Sequence, residues 1–134
     1  MQKPTGKNSN ILITCSDPRV VKWLHNKNVR EKLSINAGSF SAITNTGSIK
    51  FYLNENLMDK LFLQLDILTG HFSPEKIIIL NHTDCGYYKS LGQDKEEIYI
   101  EDLKTVGVTI SEKYSSQKIE TYLLDTETGE LSNA

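Results

Sequence analysis

The stretch that most constrains the fold reads Ile77-Ile78-Ile79-Leu80-Asn81-His82-Thr83-Asp84-Cys85-Gly86. Four consecutive aliphatic residues without polar alternation predict a short strand buried on both faces, as in a parallel sheet covered by helices. The run stops abruptly in an imidazole and a thiol three residues apart. In open α/β sheets, ligands and chemistry collect outside the carboxyl ends of the strands, which makes His82 and Cys85 a candidate site.

A second stretch repeats the design. Residues 10–14 form another short apolar run, and it ends in Cys15-Ser16-Asp17-Pro18-Arg19. Pro18 cannot donate a backbone hydrogen bond and favours an extended Asp17, so a strand stops here and a helix starts. Val20, Val21, Trp23, Leu24 and Val29 mark one face of a helix to about residue 28. Residues 32–36 alternate and predict a strand, broken by Ala37-Gly38-Ser39. Residues 40–54 are ambiguous: Asn45-Thr46-Gly47 signals a turn, and 48–53 fit either strand or helix.

The clearest helix covers residues 54–68, where Leu57, Met58, Leu61, Phe62, Leu65 and Leu68 recur at spacings of three and four. Asn54 or Asn56 is its expected N-cap and Gly70 its expected stop. After Gly86, residues 87–91 fit one or two helical turns. Ile98, Leu103, Val106 and Ile110 predict a longer helix to about Tyr114, although Gly107 weakens it. Residues 118–125 read as a last strand, 126–129 as a turn and Leu131 as a brief return. Strand and helix therefore alternate, which predicts an α/β fold. Its mostly parallel central sheet has about four to five strands flanked by helices, with right-handed crossovers. Residues 1–9 are expected to form a flexible arm and residues 10–134 a single domain.

Composition narrows the function. With 134 residues and a net charge of −2 from interspersed acids and bases, the chain has no basic footprint for nucleic acid or an anionic membrane. It has no apolar run long enough to span a bilayer, and its first ten residues lack the hydrophobic core of a secretory signal. The expectation is a cytoplasmic protein whose two cysteines are reduced thiols, structural or metal-bound, rather than a disulfide.

Both cysteines end predicted core strands. If those strands are parallel neighbours, Cys15, His82 and Cys85 meet, and two thiolates with one imidazole suit Zn²⁺ and leave a fourth position for water. Zinc lowers that water's pKa to about 7 and so supplies hydroxide at neutral pH. Taken singly, each residue also has a plain structural reading, Cys15 for example as a small buried hydrophobe. Asp17 and Arg19 lie two residues apart beside Cys15. A carboxylate next to a guanidinium stays ionised and can orient such a hydroxide, whereas the alternative makes Asp17 a helix cap and Arg19 a solvated side chain.

Cys15-Ser16-Asp17-Pro18-Arg19, Asn36-Ala37-Gly38 and His82-Thr83-Asp84-Cys85-Gly86 resemble, in order, the three signature segments of the β-class carbonic anhydrases. The wording from Asn81 to Gly86 is closest to the compact prokaryotic branch of that family. Residues 122–131 are also similar to the family's last strand and turn, so the resemblance spans about residues 10–131. It implies a β-carbonic-anhydrase-like fold and a zinc enzyme that reversibly hydrates carbon dioxide to bicarbonate and a proton, by attack of zinc-bound hydroxide. Cys15, His82 and Cys85 would be the zinc ligands and Asp17 with Arg19 the catalytic dyad. The resemblance also implies a homodimer or higher homo-oligomer. The chain departs from the family pattern at Pro18, where serine is usual, and at Ile35, where arginine is usual; Ser39 follows the second segment.

Phe40, Ile43, Phe51, Tyr87 and Tyr88 flank the motifs as candidate walls of a substrate pocket, or as ordinary core. Gly86 is expected to keep the backbone beside the metal uncrowded. His25 and His71 are candidate proton shuttles or plain surface histidines. Three further functions compete with carbonic anhydrase: a related carbonyl sulfide or carbon disulfide hydrolase on the same zinc, a catalytically impaired zinc-binding assembly protein, and a Cys15–Cys85 redox couple.

Overall fold

The computed structural model describes residues 10–35 and 40–134. Five strands form one sheet: β1 (Ile11–Cys15), β2 (Ser41–Asn45), β3 (Lys76–His82), β4 (Lys118–Leu124) and β5 (Leu131–Asn133). Their spatial order is β2-β1-β3-β4-β5. The first four run parallel, and β5 returns antiparallel along β4, with Leu124 opposite Leu131. The expected α/β class and mostly parallel sheet are present.

The unalternating runs occupy the two central strands. All five residues of β1 are buried, and so are the residues of β3 after Lys76. Their odd-numbered side chains Ile11, Ile13, Ile77 and Ile79 pack in one cluster with Leu61, Leu65, Leu103, Val106 and Ile110. Leu12, Ile78 and Leu80 face the other way, onto Val20, Val29, Leu33 and Leu124. Period-two geometry thus supplies apolar groups to two helical layers at once. The first layer holds α3 (Ile49–Asn54), α4 (Met58–His71), α5 (Gly86–Ser90) and α6 (Glu96–Lys113), and the second α1 (Pro18–Leu24) and α2 (Lys27–Leu33).

Several local expectations are corrected. The helix expected to reach residue 28 is two helices, because Asn26 accepts from the N–H groups of Asn28 and Val29 and starts α2 anew. The strand expected over residues 32–36 does not form: Lys32 and Leu33 end α2, and Asn36 lies outside the described residues. Ser34, at φ 55°, turns the chain into the left-handed region there, so Leu33 and Ile35 both reach the core and imitate strand alternation. Within the ambiguous segment, Ser41–Asn45 is strand and Ile49–Asn54 helix. Neither Asn54 nor Asn56 caps α4, which begins after Leu57 and runs through Gly70 to His71.

Strand order explains where a site can form. The chain moves from β1 outward to β2, and then returns across β1 to β3 on its other side. Between β1 and β3, connections leave in opposite directions and open a crevice beyond their carboxyl ends. Cys15 is the last residue of β1 and His82 the last of β3.

Candidate metal centre

At that crevice, the ligand atoms of Cys15, His82 and Cys85 lie within 4.8 Å of one another, and all three residues are buried. Cys15 and His82 arrive on strands, whereas Cys85 is the residue on which α5 starts. Asp84, at φ 58°, makes the tight turn that brings the Cys85 sulfur back beside His82.

The arrangement fits zinc by its own chemistry. His82 Nδ1 lies 2.7 Å from the Thr83 carbonyl, which can only accept, so Nδ1 carries the proton and Nε2 a free lone pair. Nε2 is buried and finds no partner among the described residues. An orphaned ring nitrogen is costly unless something satisfies it, and a carbonyl-held imidazole beside two thiols is a usual metal-ligand arrangement. A tetrahedral zinc with bonds of about 2.0–2.3 Å needs its ligand atoms about 3.5–3.8 Å apart, a spacing inside the 4.8 Å span of this cluster.

Electrostatics around the sulfurs favour deprotonation at Cys15. The Cys85 thiol donates to its sulfur, the N–H groups of Gly47 and Asp17 add to this, and its pKa falls well below the usual thiol value despite burial. Cys85, holding the shared proton beside that thiolate and away from water, is pushed up. The Gly47 N–H lies 3.4 Å from Cys15 Sγ. Gly47 has φ 86°, and a Cβ there would stand 2.6 Å from the Tyr87 ring, so only glycine brings this N–H to the sulfur.

Asp17 serves as cap and ion-pair partner together. Oδ1 accepts from the backbone N–H of Arg19 at 2.8 Å and from its Nε at 3.1 Å, while Oδ2 accepts from Nη2 at 2.7 Å. This two-point grip holds the Asp17 carboxyl below its ordinary pKa. Arg19 also reaches Asp84, whose own pKa is lowered to about 2 by Lys89 first and Arg19 second.

Behind the cluster stands a hydrogen-bonded layer with no motif in the sequence. The Cys85 N–H donates to Tyr99 Oη at 3.1 Å, and Tyr99 donates to Asp94. Tyr88 donates to Asp102 at 2.8 Å and accepts from Asn81, and the buried Lys50 pairs with Asp102 at 3.0 Å. Asp84 has no role that spacing within its own segment assigns, and Tyr99 is one position of α6. Their roles come from tertiary contacts that no spacing rule encodes.

The remaining candidates separate. Tyr87 packs on Gly47 and Phe51 beside the sulfurs, with ring centroids of Tyr87 and Phe51 6.0 Å apart. Phe40 packs on the opposite face of the sheet, against the Leu12 cluster. Gly86 opens α5, and a Cβ there would meet no atom within 4 Å, so crowding does not account for glycine at this position. His25 and His71 are exposed, His71 at the end of α4 that leads into the amino end of β3, away from the sulfurs. Asn36-Ala37-Gly38 lies outside the described residues.

No protein-family model matches the sequence, and no curated protein matches it. Solved structures do. The carbonic anhydrase of Streptococcus mutans superposes with a TM-score of 0.66 at 18% identity, over 99% of this chain and 85% of that one. The β-carbonic anhydrase isoform I of Trichomonas vaginalis gives 0.63 at 14%, over 99% and 86%. A carbon disulfide hydrolase gives 0.55 at 19%, over 95% and 78%. With its β2-β1-β3-β4 parallel core, its helices on both faces and its antiparallel β5, the chain has the fold of the β-carbonic anhydrases.

Proposed function

We propose that the protein is a zinc-dependent carbonic anhydrase that reversibly hydrates carbon dioxide to bicarbonate and a proton. One observation carries the reading: a buried Cys-His-Cys cluster with a free imidazole lone pair stands beside an Asp–Arg pair at the switch point of the sheet. Cys15, His82 and Cys85 would hold the ion. When bound, zinc acts as a Lewis acid that brings the pKa of a water to about 7. The chain supplies the rest. Arg19 keeps Asp17 ionised and fixed in orientation, and each carboxylate oxygen retains lone-pair capacity to accept from the attacking water and aim it at the substrate carbon. The Thr83 carbonyl fixes the His82 tautomer, and Tyr99 fixes the backbone of Cys85.

Stopped-flow hydration and zinc content, measured on one preparation, test the reading. About one zinc per chain with hydration activity is the expected result. Zinc-loaded protein without activity overturns it. The carbon disulfide hydrolase among the structural neighbours names the second substrate class, so carbon disulfide is assayed in parallel.

The proposed enzyme is cytoplasmic, where its thiols stay reduced, and it works as a homodimer or larger homo-oligomer. No helix among the described residues is long and apolar enough to cross a membrane. Strand β2 pairs only with β1 among the described residues, and beside it runs a groove of about 620 Å³ lined by Ile43, Phe51, Leu57 and the exposed Ile67. An unpaired edge with an apolar groove favours a second copy, and sedimentation of the zinc-loaded protein reads the outcome.

A further inference from the structure

Arg19 is held from two sides. Its Nε and Nη2 face Asp17, while Nη1 donates to Asp84 Oδ2 at 2.6 Å and Nη2 to the Asp84 carbonyl at 2.8 Å. The other oxygen of Asp84 pairs with Lys89 on α5. A single carboxylate therefore ties the start of α1, just after Cys15, to the loop after β3 that leads into Cys85. We propose that Asp84 is a positioning residue: by gripping the outer fork of the Arg19 guanidinium, it aims the inner fork at Asp17. The proposal rests on the reading of Asp17 as the group that orients the attacking water.

Two observations favour this role over a chance surface pair. Asp84 adopts φ 58°, where glycine carries no steric cost, so its side chain occupies a place that backbone economy would give to glycine. Its contacts also use both the side chain and the carbonyl on one guanidinium, a planar match that restricts rotation. Side-chain exposure of 43% for Arg19 and 47% for Asp84 means the pair adds little to stability. The Asp17 side chain is only 15% exposed and stands two residues from Cys15. The clamp reaches inward through Arg19. Without it, Asp17 keeps the backbone N–H of Arg19 but loses the fixed plane of the side chain.

Asp84→Gly tests this, because it removes the carboxylate while relaxing the backbone. The chain has only two arginines, Arg19 and Arg30. Nitrogen-15 NMR of the full chain therefore shows two side-chain Nε–H signals, which Arg30→Lys assigns. In Asp84→Gly, solvent exchange of the Arg19 Nε–H should quicken about tenfold with and without zinc, the loss of one charge-assisted hydrogen bond. Zinc content should stay at the wild-type level, and kcat for hydration should fall about tenfold at unchanged KM. Asp84→Asn, which keeps an acceptor oxygen and tolerates the same backbone, should lie between. An exchange rate within about twofold of wild type in Asp84→Gly overturns the clamp, and so does an unchanged kcat. An inactive wild-type holoprotein instead removes the functional reading, and the exchange rates then decide the clamp alone.

Discussion

The hydroxyl of Tyr99 lies 3.1 Å from the backbone nitrogen of Cys85 and accepts its hydrogen while donating to Asp94 at 2.5 Å. The phenol is buried and its pKa is raised, first by burial and then by Asp94. Tyr99→Phe leaves a buried N–H without a partner at the residue that starts α5. It should cost about 1–2 kcal/mol in urea unfolding and weaken zinc binding about tenfold in chelator competition. Unchanged zinc affinity would remove Tyr99 from the support of the site.

Cys85→Ser and Asp17→Asn should fail differently. The serine variant lacks a thiolate and should lose zinc in metal analysis. The asparagine variant keeps all three ligand side chains and the N-cap acceptor, so zinc stays while hydration falls about a hundredfold. Full activity in Asp17→Asn would strip the carboxylate of its proposed role.

Two glycines beside the site should respond in opposite ways. Gly47→Ala meets both a φ of 86° and the Tyr87 ring at 2.6 Å. It should destabilise by at least about 2 kcal/mol and pull the Gly47 N–H off the Cys15 sulfur. Gly86→Ala has open space around the new Cβ and lies in a helix. Its melting temperature should match or slightly exceed that of wild type.

Alkali should unfold the protein through its tyrosines. Four of the six have raised pKa values: Tyr122 reaches about 12, through burial and then Glu120, and Tyr88, Tyr99 and Tyr114 are pushed further. In each case burial is the leading cause. The unfolded chain ionises these phenols near 10, before the folded one does. Their contribution to stability is therefore complete below pH 10 and lost as pH rises through the folded values. Phenolate absorbance from these four should appear late and together with loss of the far-ultraviolet helix signal. Smooth titration of these four phenols near pH 10 with the fold intact would contradict their buried placements.

How much of this was legible in the sequence follows from how local each determinant is. Ile77 to Leu80 and Ile11 to Ile13 show no alternation because both faces of β1 and β3 are covered, so the central strands and the placing of Cys15 and His82 at their ends could be read directly. The break between α1 and α2 was hidden because Trp23, Leu24 and Val29 continue one apolar stripe across the Asn26 cap. Gly70 looked like a stop, but it faces open space in the last turn of α4, where it costs little. Tyr99 and Asp84 were invisible because their partners lie on other elements, in contacts that exist only after the sheet has formed.

The switch point has one more consequence, for assembly. Cys15 and His82 end strands that pair directly, Ile11 with Ile77 through Ile13 with Ile79, yet the whole of β2, α3 and α4 lies between them in the chain. An ion that needs both residues can be captured only after that long loop has closed. On the proposed reading, zinc uptake reports that the centre of the sheet is in register, and a chain with β1 misaligned against β3 cannot acquire the metal that would make it an enzyme.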